Sequence, residues 1–257
     1  MGVLTGCNCL ITGASRGLGA EIARSFWTAG GNILLVARNV GALDDLVKTL
    51  PEHPLQQVKV LAADLHDPEA PEFIVNRAHN LFESLDVLVN NAAIQGPIGL
   101  AWENDWGQWQ AALQVNLLAP IALCRVVVPW MAERQRGKII NISGGGATAP
   151  RPHFSAYAVS KTALVRFSET LAAEVIDLGI HVNCIAPGAM PTAMLTAVVN
   201  AGPMRAGKKE YDAALRTIGE GSTAMEKAVQ LSLFLASPES DGITGKLISA
   251  VWDPWAE

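Results

Sequence analysis

The stretch TGASRGLG at residues 12–19 decides the fold, because it joins a short apolar run to a helical pattern through a glycine-rich turn. The run Cys7–Thr12 predicts a buried strand, and the pattern over Gly17–Ala29 predicts a helix. Glycines let the backbone turn tightly and approach a pyrophosphate, which the helix N-terminus attracts through its free N–H groups. Such turns also occur for packing alone, so the spacing G-x-x-x-G-x-G indicates dinucleotide binding only within a suitable chain.

The rest of the chain has a suitable pattern, since apolar runs alternate with helical stretches. The further predicted strands are Asn32–Ala37, Gln57–Ala62, Asp86–Asn90, Lys138–Ser143, Ile180–Ile185 and Lys246–Ser249. The further predicted helices are Leu43–Leu50, Pro68–Phe82, Trp102–Val115 with an apolar continuation to Val128, Ser155–Asp177 and Ser222–Ala236. Apolar strands separated by helices imply a parallel sheet covered on both faces. With no repeat or linker, residues 1–257 are predicted to form a single α/β domain, least regular between about 188 and 221.

Composition excludes several classes of protein. Apolar residues make up 50% of the 257 residues and charged residues 17%, a balance unlike that of a disordered chain. The net charge of −5 argues against nucleic acid as the main partner. We expect no stretch of the roughly 20 apolar residues that a membrane span needs, and the N-terminus has no secretory pattern. The four cysteines and five histidines have no metal spacing, so we expect free thiols, a cytoplasmic location and no metal.

The end of the second strand bears on the choice of dinucleotide. An acidic residue there would bind the ribose 2′-hydroxyl of NAD, but this strand ends in Ala37-Arg38-Asn39. Two guanidinium groups, from Arg16 and Arg38, suit a 2′-phosphate and favour NADP. NAD stays the alternative if Arg38 is only a surface residue. Asp64 and Leu65 follow the third strand, where the carboxylate either accepts from the adenine amino group or caps a turn.

Four polar residues form a candidate catalytic set. Tyr157 and Lys161 are one helical turn apart, and a cation beside a phenol lowers its pKa, which lets tyrosine act as an acid or base. Ser143 ends the preceding strand at the carboxyl edge, where α/β sheets bind ligands. Asn116 interrupts an apolar helical run. The alternatives are an exposed Tyr157–Lys161 pair and an Asn116 side chain that bonds to backbone.

In their order and spacing, these motifs resemble those of the classical short-chain dehydrogenase/reductase (SDR) family, over roughly residues 5–250. The resemblance rests on the turn at 12–19, Asn90-Asn91-Ala92-Ala93, Asn116, Ser143, Tyr157, Lys161, and Pro187-Gly188 with Thr192. It implies a doubly wound Rossmann fold with seven parallel strands in the order 3-2-1-4-5-6-7, helices on both faces and a substrate lid at about 189–220. It also implies a homotetramer or homodimer, with Trp102–Val128 and Ser155–Asp177 as candidate interface helices.

The resemblance assigns roles to the candidate residues. Tyr157 would be the general acid and base, Ser143 would bind the substrate oxygen, Lys161 would hold the nicotinamide ribose, and Asn116 would hold a water. The predicted cofactor contacts are Gly13, Ser15, Arg16, Gly17, Leu18, Gly19, Arg38, Asp64, Leu65, Asn91, Ala92, Tyr157, Lys161, Pro187, Gly188, Met190 and Thr192. We therefore expect an NADP(H)-dependent oxidoreductase that transfers a hydride between the nicotinamide and a small carbonyl compound, and that acts in reverse as a secondary-alcohol dehydrogenase. The alternatives are an NAD-dependent alcohol or polyol dehydrogenase and a catalytically silent dinucleotide sensor.

Some features depart from the family or stay open. Ala93 stands where the family usually has glycine, and Trp252 and Trp255 stand near the chain end where it often has glycines. Trp102, Trp106 and Trp109 are spaced to share one helix face, which indicates packing or a subunit contact more than a substrate platform. The lid combines Met190, Met194 and Met204 with Arg205, Lys208 and Lys209, which are either solvated or meet an anionic substrate. His153 is a further candidate for a substrate contact.

Overall fold

The computed structural model describes residues 2–255, so residues 1, 256 and 257 of the predicted domain lie outside it. The strands are β1 (Asn8–Thr12), β2 (Asn32–Ala37), β3 (Val58–Ala62), β4 (Val87–Asn90), β5 (Gly137–Ile142), β6 (Ile180–Ala186) and β7 (Leu247–Ser249). The α-helices are α1 (Gly17–Thr28), α2 (Val40–Lys48), α3 (Ala70–His79), α4 (Trp106–Leu113), α5 (Ala119–Ala132), α6 (Ser155–Val175), α7 (Ala193–Ala206), α8 (Lys208–Glu220) and α9 (Ala224–Ala236).

All neighbouring strands pair in parallel, in the order β3-β2-β1-β4-β5-β6-β7. This confirms the predicted doubly wound fold and its strand order. The chain crosses from β3 at one edge back to β4 beside β1, so the winding direction reverses between β1 and β4. Ligands bind in doubly wound folds at this kind of reversal, outside the carboxyl ends of the strands. The glycine-rich turn after β1 lies at that point.

Successive strand residues feed two separate cores, as expected for a sheet covered on both faces. Ile11 and Leu35 pack with α1, α2 and α9, where Phe26 and Leu231 are fully buried. Residues of the opposite parity, such as Leu10 and Leu34, pack with α3, α5 and α6. Alternate residues of each strand therefore face opposite layers of helices.

The apolar helical run between 102 and 128 differs in detail from the prediction. The helix begins at Trp106, where the Asp105 carboxylate caps it by accepting from Gln108 N at 2.7 Å. Trp102 lies in the preceding turn, so the proposed stripe of three tryptophans on one helix face is wrong. Only Trp106 and Trp109 stack, with ring centroids 5.2 Å apart. The Asp105 N-cap therefore starts the helix one turn later than the spacing of the tryptophans predicts.

One continuous helical segment, 106–132, is long and apolar enough to cross a membrane by length and composition, with a mean hydropathy of 1.8. This corrects the expectation that no stretch approaches a membrane span. In the fold the segment is part of the core, because Leu123, Cys124 and Val127 of α5 pack under the sheet. Core helices of globular proteins pass the same test, so the segment gives only weak evidence for a membrane.

The region expected to be least regular contains two helices, α7 and α8. Gly202 breaks α7 with a φ of 73°, and Gly207 separates the two helices with a φ of 78°. These interruptions and the small residues of α7 hide the helical period in the sequence. Both helices contribute to a third apolar cluster around Phe154 and Tyr157, so the predicted lid packs directly over the start of α6.

Candidate active site

A cleft of about 770 Å³ opens at the carboxyl ends of the central strands. It brings together most of the predicted site residues, although they are distant in sequence. Those that line it are Gly13, Ser15, Arg16, Gly17, Leu18, Arg38, Asp64, Leu65, Asn91, Ala92, Ser143, Tyr157, Lys161, Pro187, Met190 and Thr192. The predicted site residues that do not line it are Asn116, Gly19 and Gly188.

The glycine-rich turn is tied to the segment after β4. Asn91 Nδ2 donates to Thr12 O at 3.0 Å and to Gly13 O at 3.1 Å, and Thr12 Oγ1 accepts from Asn91 N at 3.1 Å. Gly13 has a φ of 65°, and a Cβ there would stand only 2.7 Å from Ala92 Cα. A side chain at Gly19 would overlap the Asn91 amide, so this position also has no room for a larger residue. The turn therefore needs glycine for both conformation and space.

This turn fits the phosphates of a dinucleotide. Helix α1 begins at Gly17 with no side-chain cap, so its first N–H groups have no side-chain acceptor. Gly17 and Leu18 both line the cleft. Unpaired N–H groups and the positive end of the helix dipole attract an anionic group at this position. The cradle and the uncapped helix together match the geometry that a pyrophosphate requires.

At the end of the cleft next to β2 and β3, where the adenosine is expected, Arg16 and Arg38 line the cleft together with Asp64. The Asp64 carboxylate accepts from His66 N at 3.1 Å and contacts His66 Nδ1 at 2.9 Å. Burial pushes the pKa of Asp64 upward, but the hydrogen bonds from His66 and the charge of Arg38 outweigh burial and hold it below its usual value. Asn39 caps α2 by accepting from Ala42 N at 3.2 Å. The end of β2 thus presents the exposed guanidinium of Arg38 and no carboxylate of its own.

At the other end, Ser143 lies close to the catalytic candidates on α6. Lys161 is 1% exposed, and its Nζ donates to Ile142 O at 2.7 Å and lies 5.9 Å from the Tyr157 ring centroid. Burial lowers the pKa of Lys161 to about 8. Ser143 Oγ is buried and has no hydrogen-bond partner among the described residues, so it is available to a ligand. The predicted alternative of an exposed Tyr–Lys pair does not describe this arrangement.

The pKa of Tyr157 differs from the expectation drawn from its spacing to Lys161. Burial raises the pKa of the phenol, and the opposing charge comes from Arg151 rather than from Lys161. Arg151 was not among the predicted site residues. Its guanidinium carbon lies 5.7 Å from the Tyr157 ring centroid. The sequence carries no short-range signal for it, because the contact depends on how the loop before α6 folds back.

Asn116 lies in a π-helical turn (residues 114–118) between α4 and α5. Its Oδ1 accepts from Ile94 N at 2.8 Å, and its Nδ2 donates to Ile94 O at 2.9 Å and to Ser160 Oγ at 3.2 Å. Asn116 therefore joins the loop after β4 to α6, which agrees with the alternative that it bonds to backbone. π-Turns inside helices are frequent at functional sites. The extra residue in this turn directs the amide inward toward α6.

Further residues, outside the predicted catalytic and cofactor set, also line the cleft. They are Val36, Ala37, Asn39, Ala42, Ala63, His66, Ala93, Ile94, Val115, Ile142, Pro191, Ala193 and the lid residue Met194. Most of them neighbour a strand end, so widening each predicted motif by one or two positions would have included them. The loop after β6 folds over the glycine turn, since Thr192 Cγ2 lies 3.7 Å from a Cβ built on Gly17. Gly188 itself packs against Val251 and Ala224 instead of the cleft.

The remaining candidates lie elsewhere. The His153 ring packs against Gly207 and does not line the cleft. Lys208 pairs with Asp212 on the exposed face of α8 at 3.0 Å, which agrees with a solvated lid charge. Trp252 is exposed, whereas Trp255 packs on Phe234. Within residues 2–255, no group of three His, Cys, Asp or Glu side chains is placed to hold a metal ion.

Comparison with known proteins agrees with this geometry. The family model described as short chain dehydrogenase matches residues 8–202. The 3-oxoacyl-[acyl-carrier-protein] reductase of Chlamydia trachomatis is 32% identical over 249 residues, which cover 96% of this chain and 97% of that protein. The structure of YwfH, an NADPH dependent reductase involved in bacilysin biosynthesis, is 26% identical with a TM-score of 0.84, covering 95% of this chain and 96% of that one. NAD⁺-bound xylitol dehydrogenase shares the fold, with a TM-score of 0.84, 23% identity and coverage of 96% and 98%.

Proposed function

The chain belongs to the short-chain dehydrogenase family, and we propose that it is an NADP(H)-dependent reductase of small carbonyl compounds that uses Tyr157 as its general acid and base. Membership of the family and its reductase relatives make the protein a dehydrogenase/reductase enzyme. The single observation that carries the mechanism is the position of Tyr157, Ser143 and Lys161 in the same cleft as the glycine-rich turn. The cleft therefore joins a phosphate cradle to an acid–base group.

Each catalytic side chain has a distinct task in this proposal. The nicotinamide, when bound, supplies the hydride in reduction and accepts it in oxidation. Ser143 Oγ, which has no partner in the protein, donates to the substrate oxygen. Tyr157 gives its proton to that oxygen during reduction and takes it back during oxidation. Lys161 uses one N–H on Ile142 O, which leaves other donors for the ribose hydroxyls.

The choice of NADP rests on the adenosine end of the cleft. Arg16 and Arg38 line it, and β2 ends without a carboxylate to bind a 2′-hydroxyl. A guanidinium pairs with phosphate through two parallel hydrogen bonds, which gives specificity as well as affinity. The likeness to an NADPH dependent reductase supports this choice, while the more distant xylitol dehydrogenase bears only on the fold. Use of NAD stays the alternative.

Self-association and a cytoplasmic location are further parts of the proposal. The candidate interface helices carry exposed apolar side chains, namely Trp106 on α4, Val159 on α6, and Leu118 in the π-turn before α5. Single exposed apolar residues are ordinary, but several on neighbouring helices indicate a contact surface. We therefore propose a homotetramer or homodimer formed through these helices. Sedimentation at several protein concentrations tests it, and a monomer at every concentration would contradict it.

The decisive experiment compares the two tyrosines of the chain. Carbonyl substrates, including 3-oxoacyl thioesters, are screened with NADPH and NADH by following nicotinamide absorbance. Tyr157→Phe should lower turnover by about a hundredfold or more, the usual contribution of a general acid, and retain cofactor binding measured by calorimetry. Tyr211→Phe makes the same change on the lid helix α8 and should stay close to the parent. Full activity in Tyr157→Phe would refute the mechanism, and cofactor binding without turnover of any substrate would favour the dinucleotide sensor.

A further inference from the structure

Arg151 lies on the loop between Ser143 and α6, and the family motifs assign it no task. Its guanidinium carbon lies 4.0 Å from the ring centroid of Phe154 and 5.7 Å from that of Tyr157. Its Nε donates to Glu210 Oε2, on lid helix α8, at 2.8 Å. One cation therefore touches both the lid and the surroundings of the general acid.

The guanidinium is held in place from several sides. The Arg151 side chain is 16% exposed and that of Glu210 is 30% exposed, so water surrounds neither group freely. A Cβ built on Gly145 would stand 3.8 Å from Arg151 Cδ, Nε and Nη1, which places the side chain along the segment that follows Ser143. The Phe154 ring covers the guanidinium face, a contact that also favours a fixed cation. Charges in such partly buried positions interact more strongly than charges in bulk water.

Tyr157 is thus flanked by two cations at almost the same distance. Lys161, on its own helix, lies 5.9 Å from the ring centroid and donates to Ile142 O. Arg151 lies 5.7 Å away on the loop, and Glu210 of α8 acts on the phenol only from behind Arg151. His153 packs toward Gly207, and the Cys184 thiol on β6 lies beside Lys161. Of these groups, Arg151 is the charge that opposes the effect of burial on the Tyr157 pKa.

We propose that Arg151 is a positioning residue for proton transfer at Tyr157, because its fixed guanidinium stabilises the phenolate that forms there. This inference rests on the proposed function of Tyr157. In reduction, the Tyr157 O–H bond breaks and the new O–H bond forms on the substrate oxygen, leaving a phenolate on α6. A fixed cation 5.7 Å from the ring centroid lowers the free energy of that phenolate and makes the phenol a better acid. Glu210 and Phe154 act by keeping the guanidinium at this distance.

The test uses the small number of tyrosines. With only two in the chain, a Tyr211→Phe background leaves Tyr157 as the sole phenol, and its tyrosinate ultraviolet absorbance reports its ionisation directly. In that background, Arg151→Gln should move the titration of Tyr157 to higher pH by about half a unit or more. The alkaline limb of kcat/KM for carbonyl reduction should move in the same direction, because reduction needs the protonated phenol. Arg151→Lys, which keeps a cation, should bring both the Tyr157 titration and the alkaline limb of kcat/KM most of the way back to their positions with Arg151.

Arg166→Gln is the matched control. Arg166 also lies on α6 and pairs with Glu169 at 2.7 Å, but its side chain is 79% exposed and is not part of the cluster around Tyr157. Arg166→Gln should leave both the absorbance titration of Tyr157 and the pH profile of kcat/KM unchanged. Arg151→Met removes the same charge while retaining an apolar stem over Phe154, so it replaces Arg151→Gln if the latter fails to fold.

The outcomes separate the two proposals. Unchanged titration of Tyr157 in Arg151→Gln or Arg151→Met would overturn the role of Arg151, whatever the activity. An equal shift in Arg166→Gln would also overturn it, since the effect would then follow from net charge alone. Full turnover in Tyr157→Phe would instead refute the proposed function, while the absorbance titration would still decide whether Arg151 acts on the phenol.

Discussion

Replacing Gly144 by alanine should displace the hydroxyl of Tyr157. A Cβ at position 144 would overlap Tyr157 Oη and stand 3.1 Å from Tyr157 Cε1 and Cζ. Non-bonded heavy atoms prefer about 3.5 Å or more, so the hydroxyl has to retreat by about 1 Å. The ring has little room to move, because Tyr157 is buried in the cluster that includes Phe154 and the lid helices. The new methyl group therefore changes where the proton of the proposed general acid lies.

The expected consequence is a loss of turnover. A misplacement of about 1 Å in a reacting group can lower the rate by about a hundredfold. The glycine-rich turn that would hold the phosphates follows β1, whereas Gly144 follows β5. The dissociation constant for NADPH should therefore change little. We therefore expect Gly144→Ala to lower kcat strongly, with cofactor affinity near that of the parent by calorimetric titration.

Gly145→Ala is the matched control for this change. Neither Gly144 nor Gly145 has a φ in the left-handed region, so alanine strains the backbone at neither position. A Cβ at Gly145 meets nothing closer than 3.8 Å, where the Arg151 side chain makes ordinary contact. Steady-state kinetics of carbonyl reduction on both variants isolates the steric effect on Tyr157. Equal activity of the two variants would show that the hydroxyl position derived from Gly144 is wrong.

Two further predictions concern the cofactor and the pH dependence of stability. Arg38→Asp should weaken NADPH binding about tenfold or more and NADH binding much less, because it places a carboxylate where the 2′-phosphate would lie; calorimetry with both cofactors checks this, and equal losses would contradict it. His181, whose Nε2 accepts from Gly242 N, has its pKa lowered by burial and by the charge of Lys138. The unfolded chain therefore binds a proton more readily, so stability should be full above about pH 6.5 and fall as pH drops toward the lowered pKa. Urea unfolding should show that this dependence is reduced in His181→Gln and retained in His53→Gln; identical profiles would refute it.

Much of the fold follows from local patterns in the sequence. Leu10 and Ile11, or Leu34 and Leu35, face opposite cores because adjacent strand residues point to opposite faces. Continuous apolar strands separated by helices require a parallel sheet, and the turn at 12–19 places the ligand edge. Strand order came from the family resemblance, since no local pattern states which strands become neighbours.

The boundaries and the lid depended on interactions that period alone does not show. Asp105 starts α4 through a bond to Gln108 N, so the tryptophan spacing predicted the wrong first turn. In the lid, Gly202 and Gly207 adopt positive φ angles that interrupt the helical period, although both segments are helical. What orders them is tertiary packing on Phe154 and Tyr157, which overrides weak local propensity.

The site divides in the same way between local and distant contributions. The glycine turn is local, and its contacts to Asn91 explain why both motifs occur together. The acidity of Tyr157 is not local, because burial raises its pKa and the opposing cation is Arg151, anchored by Glu210. The Tyr-x-x-x-Lys spacing therefore predicts which residue is the general acid, but it does not predict how acidic that residue is. We expect the proposed action of Arg151 to depend on its bond to Glu210, so a change at Glu210 should alter the acidity of Tyr157, whereas a change at Tyr211 should not.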